Sequence, residues 1–186
     1  MFPQKLPDDF YDRIKPQLYA SIANELRSAK RVLDLGCGAC ELVRHLVSTH
    51  GWEVTGVDIS AGSFPVRRRS PEGAAYRCIE GDAARMDFAA DRSADAVVMV
   101  WAMHEMPKPQ CVLDETRRVL QPGGKILIVD FPKDSLAQKL WDENYYRPAQ
   151  IRQLLENALF DDVTVRLIHQ EQVMWARGYR PAAADT

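Results

Sequence analysis

The chain has 186 residues, enough for one domain with a full core and too few for two ordinary ones. Hydrophobic residues make up 46% and charged residues 27%, and the formal net charge of −2 sets up no global field toward nucleic acid or an anionic membrane. No apolar run approaches a membrane span, MFPQKLPDDF lacks the pattern of a secretory leader, and four cysteines without a regular framework fit a reducing cytoplasm.

From Asp8 to Ala29, apolar residues recur at every fourth position: Phe10, Ile14, Leu18, Ile22 and Leu26. That spacing predicts an amphipathic helix in an N-terminal segment 1–30, with Pro16 as a kink or break. Arg31 to Leu35 is a short apolar run closed by glycine, hence a buried strand. Cys40 to Ser48 sets Leu42, Val43, Leu46 and Val47 on one helical face. Glu53 to Val57 reads as a second strand ending at Asp58, Phe64 to Arg69 as a short helix, and Ala74 to Ile79 as a third strand before Glu80, Gly81 and Asp82.

Ala94 to Val100 is continuously apolar, as a central strand is. Val112 to Leu120 reads as a helix stopped by Gln121, Pro122, Gly123 and Gly124, and Lys125 to Val129 as a fifth strand. Pro148 to Leu159 is a helix, and Val163 to Ile168 with Gln172 to Ala176 are close enough to form a hairpin. The alternation predicts one α/β domain over 1–186. Its sheet is Rossmann-like and open, about seven strands, mostly parallel with an antiparallel C-terminal hairpin, and helices cover both faces. Ligands of such sheets sit beyond the carboxyl ends of the strands, at the switch in strand order.

The residues just after the strands therefore carry the chemistry. VLDLGCGAC, from Val32 to Cys40, places an acid and then Gly36 and Gly38 where backbone must turn sharply near a ligand. A dinucleotide fingerprint needs a third glycine five residues after the first, and that position is Glu41. A carboxylate there repels a pyrophosphate, and Asp34 suits a ligand with positive charge. Asp58, about twenty residues beyond Gly38, stands where a carboxylate accepts both ribose hydroxyls. Asp82 and Ala83 could take an adenine, the carboxylate receiving the exocyclic amine and a backbone N–H serving a ring nitrogen. A ribose, an adenine and a cationic tail without phosphates describe S-adenosyl-L-methionine.

VLDLGCGAC, VTGVDIS, EGDAARMDF, ADAVVMVWAMHEM and VLDETRRVLQPGGKILIVDF, in this order, resemble the class I S-adenosylmethionine-dependent methyltransferases. The likeness is greatest to the small-molecule branch often called methyltransferase type 11, closely over about Arg31 to Phe131. It implies a methyltransferase using S-adenosyl-L-methionine. Asp34, Gly36 and Gly38, with the intervening Cys37, would take the methionine end, Asp58 and Ile59 the ribose, and Asp82 and Ala83 the adenine. Val100 and Trp101 would close the site after the fourth strand. Cys40 stands where many members have a third glycine, which predicts a slightly displaced helix.

Several residues have a plain reading beside a functional one. Cys37 and Cys40 have the spacing of half a zinc site, but inside a glycine turn they read as small fillers, and no metal is predicted. Cys78 and Cys111 read as core. The run Arg67, Arg68 and Arg69 reads as a solvated helix face; a basic surface around it would favour a nucleic-acid or protein acceptor. His104 and Glu105, just beyond the fourth strand, are the candidate catalytic residues. His104 could take an acceptor's proton or orient it, or only cap the loop.

Methyl transfer is an in-line displacement that positioning and exclusion of water can largely drive, so few catalytic residues are expected. Val100-Trp101-Ala102-Met103-His104 lacks the Asn/Asp-Pro-Pro-Tyr of amino-methylating relatives that act on adenine or glutamine. It also lacks the Asp of a catechol-type magnesium site and the Pro-Cys of cytosine methylation. The thiols that arsenite methylation needs are absent too, since Cys78 and Cys111 are badly placed. A small organic acceptor is the expectation, with O, N, S and C left open. The stretch 131–147 could form a lid, and Trp101, His104, Trp141, Tyr145 and Tyr146 are the candidate pocket; the alternative is a helix docked on the sheet edge. The small cap predicts an exposed pocket, one completed by a partner or second copy as in a homodimer, or a larger acceptor. A protein that binds the cofactor without catalysis is the other reading.

Overall fold

The computed structural model describes residues 6–66, 69, 73 and 75–182. Five parallel strands, β1 (Arg31–Leu35), β2 (Glu53–Asp58), β3 (Arg77–Glu80), β4 (Ala94–Val100) and β5 (Leu120–Asp130), join the hairpin of β6 (Asp161–Ile168) and β7 (Val173–Tyr179). Their order is β3-β2-β1-β4-β5-β7-β6, with β7 antiparallel to both neighbours. β1 pairs with β2 on one side and β4 on the other, so the strand order reverses there and opens a crevice at the carboxyl ends.

The apolar pattern explains the two layers. In β4, Val98 faces one side while Val97 and Met99 face the other; in β5, Leu127 and Val129 oppose Ile126 and Ile128. Both faces are buried, as the continuous apolarity requires. On the first face α1 (Phe10–Glu25) inserts Leu18 and Ile22, and α2 (Glu41–His50) inserts Leu42, Val43 and Leu46. On the second, α3 (Pro109–Val119) brings Val112 and Leu113, and α5 (Pro148–Asn157) brings Ile151 and Leu155. A short α4 (Leu136–Trp141) lies between β5 and α5.

Three local expectations change. Pro16 does not break α1: Pro16 and Asp12, four residues back, are both exposed, so the bond that the proline ring forbids is missing on the water side. Phe64 to Val66 is not helical; Phe64 precedes Pro65 and is extended, with φ −66° and ψ 138°, and the turn is instead a 3-10 segment at Ala61–Ser63. Arg67 and Arg68, the rest of that expected helix and basic run, lie outside the described residues, as does Ala74 at the expected start of β3. Glycine and proline at 122–124 do not separate α3 from β5: Leu120 already pairs with Ala94, and the register shift between Ala94 and Ala96 absorbs them. Among the described residues no helix is long and apolar enough to cross a membrane.

Candidate functional site

β1 delivers Asp34 to the crevice, and the chain then turns through Gly36 at φ 75° and Gly38 at φ 46°. Both conformations favour glycine. The N–H groups of Gly36 and Cys37 donate to the Val57 carbonyl at 2.8 and 3.1 Å, which ties the loop to the end of β2. A Cβ on Gly36 would collide with Cβ of Ala102, the residue after Trp101. Cys40, in the position of a third glycine, itself adopts the left-handed region at φ 56° and begins α2. The strand-interior Gly56 is a further requirement: a Cβ there would lie 2.7 Å from Cys37 Sγ and 3.0 Å from Val43. A glycine within a strand is the sequence signal that could have revealed it.

Three cysteines fill the space behind the loop. Cys37 Sγ is 3.6 Å from Cys40 Sγ, Cys40 and Cys78 are joined as a disulfide, and all three are buried. Their burial agrees with Cys37 and Cys40 as small fillers of the turn and Cys78 as core. Burial first, and the charges of Asp34 and Asp58 after it, push the Cys37 thiol well up. Cys111 departs from the expectation: it is exposed, because the buried face of α3 runs through Val112, Leu113, Thr116 and Val119.

Asp58 is held on both oxygens. Gly38 N–H donates to Oδ2 at 2.8 Å and Ser60 N–H to Oδ1 at 3.1 Å. Asp34 is buried, and desolvation, reinforced by the Asp58 charge, pushes its carboxyl up to about 7. Asp82 Oδ1 accepts from Ala84 N–H at 2.8 Å, an Asx-type turn. Gly36, Asp58, Ile59, Asp82, Ala83 and Glu105 all line one cavity of about 260 Å³. Of the other predicted cofactor residues, Asp34, Cys37, Gly38, Val100 and Trp101 do not line it; Asp34 and Cys37 lie buried behind the loop.

The crevice continues past β4 into a second cavity of about 330 Å³, and Glu105 borders both. Trp101 takes φ 55°, donates its N–H to the Val129 carbonyl at 2.8 Å and stacks on Phe131 at 5.2 Å between ring centres. Its indole Nε1 is buried without a hydrogen-bond partner among the described residues. His104 is fixed by Asp130, which ends β5 beside β4: Nδ1 lies 2.8 Å from Oδ1, and the His104 N–H donates to Oδ2 at 3.0 Å. Asp130 Oδ1 also accepts the Phe131 N–H at 2.8 Å. On its other side His104 Nε2 is 3.0 Å from Glu143 and 3.9 Å from Glu105. Burial opposes a charged ring; the hydrogen bond and charge of Asp130, with the charges of Glu105 and Glu143, outweigh it and raise His104. Ligand atoms of His104, Glu105 and Glu143 lie within 4.8 Å of one another, a set that a divalent cation could also use.

Trp101, His104, Trp141 and Tyr145, four of the predicted pocket residues, line this cavity together with Tyr11 and Phe131. Tyr146 does not: it is half-buried and packs against the second core cluster. The stretch 131–147 is tied down, since Ala137 N–H donates to Tyr11 Oη at 3.0 Å and Leu136 N–H to the Gln172 side chain at 2.6 Å. Sequence reasoning marks Asp130 only as a residue after the fifth strand, without a role beside His104, and it missed Glu143 and Tyr11 as parts of the site. Asp130 had one signal, its place at the end of a strand next to β4.

The Methyltransferase domain family model matches residues 33–128. Among curated relatives, a fatty-acid O-methyltransferase of Mycolicibacterium smegmatis is 35% identical over 124 residues, 66% of this chain and 45% of that protein. A demethylmenaquinone methyltransferase of Desulfitobacterium hafniense is 29% identical over 118 residues, 60% of this chain and 46% of that one. The chain thus spans less than half the length of these relatives. Human N-acetylserotonin methyltransferase, solved in complex with S-adenosylmethionine, superposes with a TM-score of 0.71 at 18% identity, over 94% of this chain and 54% of that one. That last likeness is one of fold.

Proposed function

The chain belongs to the class I S-adenosylmethionine-dependent methyltransferases, and from that premise we propose that it methylates a small organic acceptor by in-line displacement without a metal. The observation that carries the reading is the pair of adjoining cavities at the reversal of strand order, one built on glycine turns and acids, the other on aromatic rings. The residues of the first cavity fit the cofactor. Gly36 lets the loop pack directly on Ala102 at the cavity wall, Asp34, behind that loop, is a buried acid suited to an ammonium group, and Asp58 retains lone pairs for ribose hydroxyls. Asp82 and the Ala83 backbone, at its far side, receive the adenine.

The bound cofactor supplies an electrophilic methyl group on a sulfonium. What the protein adds is position and shelter. Trp101, Phe131 and Tyr11 form an apolar wall of the second cavity, which Glu105 borders together with the first. His104, held through Nδ1 by Asp130, orients the acceptor and receives its proton at Nε2 once Glu143 turns outward. The likeness to a fatty-acid O-methyltransferase and to a demethylmenaquinone methyltransferase supports a small acceptor. Calorimetry against S-adenosylmethionine, its demethylated product and a nicotinamide dinucleotide tests the reading. Micromolar binding of the first two alone is expected; binding of the dinucleotide alone would overturn it.

A further inference from the structure

We propose that the second cavity is the acceptor site and that its ligand is a small organic ammonium ion, a protonated amine. The proposal rests on the methyl-transfer reading above.

The lining has a one-sided charge. Asp8, Asp12, Glu105 and Glu143 border the cavity, against His104 as the one basic side chain in its lining. Among the described residues, Asp8 and Asp12 make no hydrogen bond or ion pair, so their charges are unspent. Glu105 and Glu143 meet only His104 in ion pairs and remain 70% and 48% exposed, open to a ligand. Asp130, buried beneath His104, adds a further negative charge to the wall. An anion entering here is repelled by every carboxylate; a cation replaces water with charged acceptors.

The aromatic lining favours the same ligand. Tyr11, Trp101, Phe131, Trp141 and Tyr145 surround the acids, and the negative faces of such rings attract ammonium groups. The protein already uses this property: Lys15 Nζ lies 5.8 Å from the centre of the Trp101 ring. Trp141 is 47% exposed at the mouth and leaves ring surface for an incoming ligand. An apolar acceptor alone would not need the four acids, and an acidic one would be excluded by them. The shared border at Glu105 places the ligand next to the cofactor cavity. An amine must lose one proton to expose its lone pair, and Glu105 and Glu143 are bases within the same wall.

Calorimetry on the whole chain, in buffer with EDTA to keep metal out, would use 2-phenylethylamine, 2-phenylethanol and 3-phenylpropionate, each with the demethylated cofactor present. The amine should bind at least tenfold tighter than the alcohol, weaken as salt rises, and the acid should show no binding. Asp12→Asn and Glu143→Gln should each weaken the amine several-fold. An alcohol or acid that binds as well as the amine would overturn the proposal. So would no binding of the amine by protein that binds S-adenosylmethionine, and in that case the methyl-transfer reading survives. Failure of S-adenosylmethionine itself to bind would instead remove the reading on which the proposal rests.

Discussion

His104 Nδ1 and Asp130 Oδ1 lie 2.8 Å apart across the ends of β4 and β5, with the His104 side chain 4% and the Asp130 side chain 1% exposed. The contact fixes the tautomer, because Nδ1 must carry the proton that Asp130 accepts. Burial works against charging the ring, but Asp130, Glu105 and Glu143 together raise it above its ordinary value. A raised His stabilises the fold fully below its unfolded value of about 6.5, and that contribution is lost as pH rises through the folded value. His104→Gln should therefore cost more stability near pH 6 than near pH 9, by about 1–3 kcal/mol at the acid end. Urea melts at the two pH values check this, and an equal cost at both would refute it. In NMR titrations His104 should titrate above about 6.5, and Asp130→Asn should move it down.

Gly36 makes a different demand. Its turn needs φ 75°, and the space of its missing side chain is taken by Ala102. Gly36→Ala pays for the left-handed backbone, about 1–2 kcal/mol, and for displacing the segment that carries Trp101 and His104. We expect a loss of S-adenosylmethionine affinity of tenfold or more together with a lower Tm. Gly56→Ala should behave alike, because Cys37 and Val43 occupy its Cβ position. Gly123, also at positive φ but with nothing near its Cβ, is the control: Gly123→Ala should lower Tm modestly and leave affinity intact. Wild-type affinity in Gly36→Ala would reject this account of the loop.

Asp58 serves the loop, beside the ribose role proposed for it. Its Oδ2 accepts the Gly38 N–H at 2.8 Å, so Asp58→Ala leaves that donor without its partner. The variant should stay folded, lose about 1–3 kcal/mol of stability and bind the cofactor at least tenfold more weakly. Asp58→Asn keeps a carbonyl acceptor and should recover most of the stability but not the affinity. Unchanged affinity in Asp58→Ala, read by calorimetry, would remove the ribose assignment.

These residues differ in how plainly the sequence exposes them. β4 and the acid–glycine loop are legible because burial on both faces leaves a continuous apolar run, and because a sharp turn at a strand end demands glycine. Asp58, Ile59, Asp82 and Ala83 follow from their places after strands, and they do meet at one cavity. The place of Asp130 after a strand is legible, but its link to His104, and that of Glu143, were hidden, because they span 26 and 39 residues of chain, distances that no local pattern encodes. Pro16 misled for a related reason, since whether proline breaks a helix depends on which side faces water. Cys111 misled because the apolar residues that follow it, Val112 and Leu113, do not say which way a helical residue before them points. Tyr146 sits next to Tyr145, yet the two part company, Tyr145 to the cavity and Tyr146 to the second core cluster.

Asp34 yields the prediction with the clearest sign. Its carboxyl is pushed up to about 7 by burial and then by Asp58, so the unliganded native state holds a proton that the unfolded chain releases from about pH 4 upward. Stability of the free protein should therefore fall as pH rises through that window. A ligand with an ammonium group reverses the balance, because its charge favours the ionised carboxylate. Binding of S-adenosylmethionine near pH 6 should release close to one proton, and near pH 8.5 almost none. Calorimetry in two buffers that both titrate near the working pH but differ in ionisation enthalpy separates the two cases, since the observed heat then differs with buffer only where a proton is released. Asp34→Asn should abolish the buffer dependence and weaken binding at every pH. Release of no proton near pH 6 together with unchanged affinity in Asp34→Asn would mean that the ammonium group binds elsewhere, and would withdraw Asp34 from the site.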